Sequence, residues 1–397
     1  MKHDADILVV GAGLSGLLAA IALASEEPGA GCRVTLLDRG DIGRVSDDGR
    51  ATALAPSSVR MLQRLQVAIP PAGRMVGMRV GEGAADSPWQ FELPARETEP
   101  LALVVENHLL RTALLERLSA LPITRIDDAE VARLNTLGHA ALTLSDGRTL
   151  TAPLVMAADG ANSAVRRLAG FAVSEHDFGQ DALVFTVRHA EDHEGIALQR
   201  FQSVGAVASL PLFSAHHSQI VWSDRRDSVA AAAQIDPAAL ASLVDQRLWE
   251  ALDVVAVEGA VQSYPLVARR TDRLAGDRVA LIGDAARTIH PLAGQGLNLG
   301  LRDVAALVDT VRAARDTGQD LGTSGLIGYQ RWRRTDETLL GTLTAALSAA
   351  PRRWLPTRLL GHARRAAFAA TDTVPALHPF IRQEAAGETG TRPSLLA

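Results

Sequence analysis

Ile7-Leu-Val-Val10-Gly11-Ala-Gly13-Leu-Ser-Gly16 joins a wholly apolar tetrapeptide to three glycines. Such an apolar run has the length and composition of a strand buried on both faces of a parallel sheet. Leu17 to Ala24, rich in leucine and alanine, predicts a helix directly after it. Each glycine then has a mechanical task. Gly11 allows the tight turn, Gly13 lets the backbone approach a pyrophosphate, and Gly16 lets the helix lie against the strand. A second strand, Arg33-Val-Thr-Leu-Leu-Asp38, ends on a carboxylate placed to bind the ribose hydroxyls of an adenine dinucleotide. A glycine turn alone is a weak signal; the strand before, the helix after and the acid beyond make it strong. The pattern fits FAD and NAD equally.

Ile7 to Ala24 is also an uncharged run of membrane-spanning length. Asp4 and Asp6 precede it and the three glycines divide it, so a strand, turn and helix of a soluble fold describe it better than an anchor or signal peptide. The chain has 397 residues, 47% of them hydrophobic, enough to bury a full core in two domains. A net charge of −5 gives no indication of a nucleic-acid partner. Lys2 is the only lysine among 40 lysines and arginines, a bias of coding composition rather than of function. Cys32 stands alone, which excludes a disulfide framework and a cysteine metal site and suits a reducing cytoplasm.

Two further segments restrict the ligand. Thr151-Ala-Pro-Leu-Val-Met-Ala-Ala-Asp159-Gly160-Ala-Asn-Ser163-Ala-Val-Arg166 follows a hairpin, Ala141 to Leu150, with its turn at Ser145-Asp-Gly147. It reads as a strand, a loop carrying Asp159 and a short helix capped by Ser163. Arg166 and Arg167 would then be two solvated arginines or part of a site, and the residues alone leave both open. Leu281-Ile-Gly283-Asp284 reads as a buried strand delivering an acid, and the loop His290-Pro291-Leu-Ala-Gly294-Gln295-Gly296-Leu297-Asn298 leads into a helix that reaches Asp303. Asp284 would accept hydrogen bonds from a polyol. The glycine backbone can approach a flat ring, and amides at a helix start favour negative charge. A sugar alcohol on one side and an electron-accepting ring on the other describe a flavin.

Together the three segments resemble those of the single-component FAD-dependent monooxygenases of the p-hydroxybenzoate hydroxylase fold. Arg50-Ala-Thr-Ala-Leu-Ala-Pro-Ser-Ser, Val105-Glu-Asn107-His-Leu-Leu, the run from His290 to Asp303, Tyr329-Gln-Arg-Trp-Arg-Arg and Pro379-Phe-Ile-Arg-Gln-Glu-Ala-Ala-Gly387 resemble the ubiquinone-biosynthesis hydroxylase branch over essentially the whole chain. The resemblance implies an α/β fold: a discontinuous Rossmann-like FAD-binding domain, a β-sheet substrate domain and a C-terminal helical region. It puts residues 1–75, 100–170 and 270–320 in the first, 76–99 and 171–269 in the second and 321–397 in the third.

It also implies roles. Gly11, Gly13 and Gly16 fall at the FAD pyrophosphate and Asp38 at the adenosine ribose. Arg50 falls on a loop that contacts FAD and helps the ring move, with Asn107 near the cofactor where related hydroxylases often carry arginine. Asp159 falls near FAD and the reduced nicotinamide, and Gly283-Asp284 at the ribityl or pyrophosphate end. Pro291 lies beside the isoalloxazine, and Gly294, Gln295, Gly296, Leu297 and Asn298 lie at its pyrimidine edge. His290 is either a proton carrier or structural. Asp38 replaces the glutamate common in the family, a shorter arm to the same ribose. The implied reaction uses NAD(P)H and O2, through a flavin hydroperoxide, to hydroxylate the ring of a polyprenylated phenol.

The intervening region predicts strands at Ala182 to Val187, Val204 to Pro211 and Gln219 to Trp222, forming a sheet over the flavin. His189, His193, His216 and His217 lack metal-ligand spacing and read as surface or loop residues. Arg352, Arg353, Trp354, Arg358, Arg364 and Arg365 interleave with apolar residues, a solvated helix face or a basic surface resting on an anionic membrane. The expected location is cytoplasmic, with peripheral contact at the inner membrane face and other ubiquinone-biosynthesis proteins as partners. A hydroxylase of a soluble aromatic, a flavin reductase or oxidase, and a non-catalytic FAD-binding scaffold are the alternatives.

Overall fold

The computed structural model describes residues 3–45, 49–82, 89–94, 99–289, 296–322, 324–334, 386, 388 and 392–397. Its central sheet runs in the order Ala275–Gly276, Val279–Leu281, Leu154–Ala157, Ile7–Val10, Val34–Leu37, Thr124–Ile126. The last five strands are parallel, and the Ala275–Gly276 edge is antiparallel. Every residue of Ile7–Val10, Val34–Leu37, Leu154–Ala157 and Val279–Leu281 is buried, which explains why these strands are written in apolar residues with Thr35 as the one exception.

The helix Leu14–Ala24 lies against this sheet and is buried from Gly16 to Ala24. Helices Asn107–Ser119 and Gly296–Asp316 pack against it. It needs no polar face because it is enclosed on all sides. Each fully buried leucine or isoleucine here contributes about 1.5–3 kcal/mol by leaving water. The run from Ile7 to Ala24 is thus a strand and a core helix. Among the described residues, no helix is long and apolar enough to cross a membrane.

Strand order reverses at Ile7–Val10: the chain proceeds to Val34–Leu37 on one side, while Leu154–Ala157 joins on the other. A crevice at the C-terminal ends of such strands is where an open α/β sheet holds its ligand. The expected hairpin is present as Ala140–Leu144 and Thr149–Ala152, with Gly147 at φ +88° in its turn.

A larger sheet has eight strands: Arg287–Thr288, Val254–Thr271, Val173–His189, His217–Arg225, Ala206–Pro211, Ile196–Phe201, Gly77–Glu82 and Trp89–Pro94. Its side chains alternate between two faces. Leu183, Phe185, Val187, Ile220 and Trp222 pack with Val229, Leu240 and Val244, which lie on helices Arg226–Ala232 and Pro237–Arg247. Ala182, Val184, Val221, Tyr264 and Leu266 form a separate cluster on the opposite face. A small sheet of Ala51–Leu54, Ala102–Glu106 and Gly73–Met75 joins the two regions.

One buried charge cluster fastens the cofactor-side strand to the helices behind it. Asp303, fully buried on Gly296–Asp316, has Arg287 Nη2 2.5 Å and Arg333 Nε 2.6 Å from Oδ1. Its Oδ2 accepts from Arg287 Nη1 at 2.9 Å and from the Gly283 N–H at 3.0 Å. Burial alone would raise this carboxyl; the Arg287 and Arg333 charges and hydrogen bonds outweigh it and hold it below the usual range. Arg333 lies in the helical segment 324–334, from which Tyr329 also donates its hydroxyl to Leu281 O at 2.7 Å.

Asp303→Ala removes the carboxylate that pairs with two buried guanidinium groups, so chemical denaturation should show a loss of about 3–5 kcal/mol. Because the folded carboxyl titrates below its ordinary value of about 3.9, its stabilisation is complete at neutral pH and disappears only as pH falls below that value. A variant as stable as the parent would show that the cluster does not hold the turn.

Candidate active site

The crevice is built first from the glycine turn. Gly11 takes φ +102°, and a Cβ there would lie 2.4 Å from Ala158 O, so the turn sits directly on the loop that follows Leu154–Ala157. A Cβ on Gly16 would fall 1.8 Å from Gly11 O, so the helix can approach the turn only as glycine. Gly13 is different: it is exposed and faces open space, with no side chain capping the helix N-terminus. Uncapped amides behind an open glycine are the arrangement that receives a pyrophosphate.

Asp38 stands beside this turn, at the end of the neighbouring strand. Its Oδ2 accepts from Ala12 N–H at 2.6 Å and its Oδ1 from Gly40 N–H at 2.9 Å. Each oxygen keeps a lone pair for a ribose hydroxyl. Arg111 holds the region together by donating to the carbonyls of Ala12, Ile42 and Arg44. Arg111 escaped the sequence reading; its signal was its place one helical turn after Asn107.

The middle strand delivers Asp159, whose Oδ2 accepts from Ala164 and Val165 N–H at 2.7 and 3.1 Å. Ser163 caps the same helix, accepting from Arg166 N–H at 2.9 Å. Asp159 Oδ1 is buried with no hydrogen-bond partner among the described residues. An orphan acceptor in a crevice calls for a donor from a ligand. Arg166 is not a solvated arginine: it is 5% exposed and donates to Ala285 O and Ala161 O. The Asp159 turn is thereby tied to the turn that carries Asp284; Arg167 is the exposed member of the pair.

Asp284 sits in the short turn Gly283–Ala285, where Gly283 has φ +55°. Among the described residues its carboxylate accepts no hydrogen bond. Burial raises the carboxyl above its ordinary value, while Arg50, Arg287 and Arg269 pull it down. The residue is nevertheless accessible to solvent. Both hold for a group set against packed protein on one side and open to solvent on the other, a shallow recess and not an enclosed pocket. Ser15 closes the base of that recess. Cβ atoms placed on Gly283 and Gly300 would fall 3.1 and 2.7 Å from its Oγ, so both strand turn and long helix approach it as glycine.

Arg50 reaches the recess from the opposite side. It is exposed, and its guanidinium carbon lies 5.1 Å from the centroid of the Tyr264 ring on the large sheet. Asn107 supports it from behind, its N–H donating to Arg50 O at 2.8 Å and its Oδ1 accepting from Thr52 Oγ1 at 2.7 Å. Gly296 and Leu297 begin the long helix, and among the described residues a Cβ on Gly296 would meet nothing within 4 Å. The Asn298 side chain turns away: it accepts from Ala55 N–H and Ser58 Oγ and donates to Ala53 O, so only its backbone can face a ligand.

His290, Pro291, Gly294 and Gln295 lie outside the described residues, as does the arginine-rich stretch from Arg352 to Arg365. Of the four histidines read as surface or loop residues, His193 lies in a loop and His189 ends the strand Val173–His189, and both are buried. His189 is 1% and His193 9% exposed. His189 bonds Glu191 O and Ser218 Oγ; His193 bonds the carbonyls of Leu212 and Ser214 and accepts from Gly195 N–H. They satisfy loop backbone at one end of the large sheet, which no spacing rule reveals.

The open Gly13 turn, the Asp38 carboxylate beside it, the orphan Asp159 oxygen and the recessed Asp284 fit an extended dinucleotide with a polyol segment, as FAD is. Residues 4–322 match the model of the FAD binding domain family. The ubiquinone hydroxylase UbiL of Rhodospirillum rubrum is 36% identical over 353 residues, covering 86% of this chain and 81% of that protein. The 3-demethoxyubiquinol 3-hydroxylase of Escherichia coli is 30% identical over 352 residues, covering 85% and 88%. Among solved structures, p-nitrophenol 4-monooxygenase PnpA of Pseudomonas putida superposes with a TM-score of 0.77 at 20% identity, covering 99% of this chain and 100% of that one. PqsL of Pseudomonas aeruginosa does so with a TM-score of 0.76 at 21% identity, covering 91% and 99%. These two establish the fold, and the two closer sequences place the branch. With its cofactor crevice and its family match in agreement, the chain belongs to the FAD-dependent hydroxylases of ubiquinone biosynthesis.

Proposed function

We propose that the protein hydroxylates the aromatic ring of a polyprenylated phenol on the route to ubiquinone, with NAD(P)H and O2 as co-substrates. The observation that carries this reading is the recess where Asp284, from the parallel sheet, meets Arg50, resting on the large sheet. A flavin held there would have its reactive ring between the cofactor strands and the large sheet, whose apolar cluster of Ala182, Val184, Val221, Tyr264 and Leu266 supports that side of the site. The names of the relatives, ubiquinone hydroxylase and 3-demethoxyubiquinol 3-hydroxylase, support the phenol class. Residues 1–75, 100–170 and 270–320 serve the cofactor in this reading, and 76–99 and 171–269 the substrate. The lipid tail of such a phenol would bring the protein to the inner face of the membrane.

When bound, FAD supplies the two-electron uptake from NAD(P)H and the oxygen activation that protein side chains lack. The protein's part is placement. The Gly11, Gly13 and Gly16 turn and the helix behind it hold the pyrophosphate. Asp38 takes the ribose hydroxyls, Asp284 the polyol and Asp159 a donor at its orphan oxygen. Gly296 and Leu297 present backbone at the start of a helix, where negative charge is favoured. Gly294, Gln295, Pro291 and His290 keep the roles that the sequence resemblance implies, His290 as either a proton carrier or a structural residue.

The direct test is anaerobic reduction of the flavoprotein by NAD(P)H, with and without a polyprenylphenol. The phenol should accelerate bleaching of the flavin. Acceleration only by a soluble aromatic would move the substrate to that class, and a bound flavin that NAD(P)H never reduces would favour a scaffold. Asp284→Ala should purify with little FAD because the polyol loses its acceptor. Its apoprotein should melt no lower than the parent at pH 7, because an ionised carboxylate with a raised pKa opposes folding once pH exceeds its unfolded value. Full flavin content in that variant would refute the assignment. Arg50→Ala should slow flavin reduction more than it weakens FAD binding, as stopped-flow absorbance and fluorescence titration would reveal; unchanged reduction kinetics would remove Arg50 from ring movement.

A further inference from the structure

The loop that carries Arg50 rests on the large sheet through a built seat. Gln219, 2% exposed, donates from Nε2 to Gly49 O at 2.6 Å. Gly49 takes φ +64°, and a Cβ there would lie 3.2 Å from Gln262 Nε2, so the loop lies close against the sheet. Gln219, Gln262 and Tyr264 share one face, being opposite Thr186, Val184 and Ala182 on the strand Val173–His189 that runs between them. The Tyr264 ring is fixed at both ends. Its hydroxyl donates to Gln262 Oε1, and its body packs with Val184, Leu266 and Phe178. Above it lies the Arg50 guanidinium, 5.1 Å from the centroid, within the range of an attraction between a cation and an aromatic face.

Arg50 is therefore drawn in two directions. Tyr264 holds it toward the large sheet, and the Asp284 charge attracts it toward the cofactor strand. We propose that Tyr264 is a positioning residue for Arg50, and that its ring face, fixed on the large sheet, sets where the guanidinium stands when the cofactor binds and is reduced. This rests on the reading of the recess as the flavin site. Tyr264 acts through Arg50 and not on the reacting atoms.

A double-mutant cycle separates this from a merely structural role. FAD affinity is measured by quenching of flavin fluorescence on adding apoprotein, and the rate of anaerobic reduction by stopped flow. Tyr264→Leu should weaken FAD binding and slow reduction by about three- to fivefold each, the scale of one exposed cation–aromatic contact. Tyr264→Phe keeps the ring and should stay within about twofold of the parent. In an Arg50→Ala background, Tyr264→Leu should have no further effect on either quantity. Tyr264→Met, similar in bulk without a ring, replaces the leucine variant if that one fails to fold. Parent-like behaviour of the ringless variant, or the same loss in both backgrounds, would overturn the assignment. A parent apoprotein that takes up no FAD would instead overturn the functional reading, and the inference with it.

Discussion

The buried carboxylate of Asp303 is the constraint on which the site depends. It accepts the Gly283 N–H while paired with Arg287 and Arg333, so one side chain joins the cofactor strand, the strand entering the large sheet and the helical segment 324–334. Removed from water, two guanidinium groups and a carboxylate tolerate only a narrow set of positions. Gly283 is held in its left-handed conformation, and the next residue, Asp284, is aimed into the recess instead of back into the core. Among the described residues Asp284 accepts no hydrogen bond, while the Gly283 backbone is paired through both its N–H and its carbonyl.

Much of this was legible because it follows from local chemistry. Ile7–Val10 is a strand with both its faces buried, and such a strand is written mainly in apolar residues. Gly11 and Gly16 are glycines because a Cβ would collide with backbone, and the spacing records those collisions directly. The Asp38 and Asp284 positions follow because each ends an apolar run at the C-terminal edge of the sheet. What escaped reading was pairing across the chain. Nothing near Asp303 announces Arg333, 30 residues on, as its partner. Arg111 and Arg166 look like ordinary helix arginines, yet they hold backbone carbonyls that no helix or strand uses. His189 and His193 lack a motif because they satisfy irregular loops, whose geometry only the folded chain defines.

The two sheets divide the work in a way the composition already suggests. The central strands of the parallel sheet are almost wholly apolar, and the carboxylates Asp38, Asp159 and Asp284 follow their C-terminal ends, where a charged, extended cofactor needs polar groups. The large sheet buries one face under helices and keeps a modest apolar face with isolated amides and one tyrosine, suited to a planar ring. Arg50 stands where these two chemistries meet, supported by Asn107 from behind and faced by Tyr264 and Asp284.

The most direct test of the account is a reaction under 18O2, with NAD(P)H and a polyprenylphenol, analysed by mass spectrometry of the lipid extract. The account predicts a phenol heavier by one oxygen atom, with that atom carrying the 18O label. An unlabelled product, or consumption of NAD(P)H with hydrogen peroxide released and the phenol and soluble aromatics left unchanged, would contradict the claim that this protein is a ring hydroxylase.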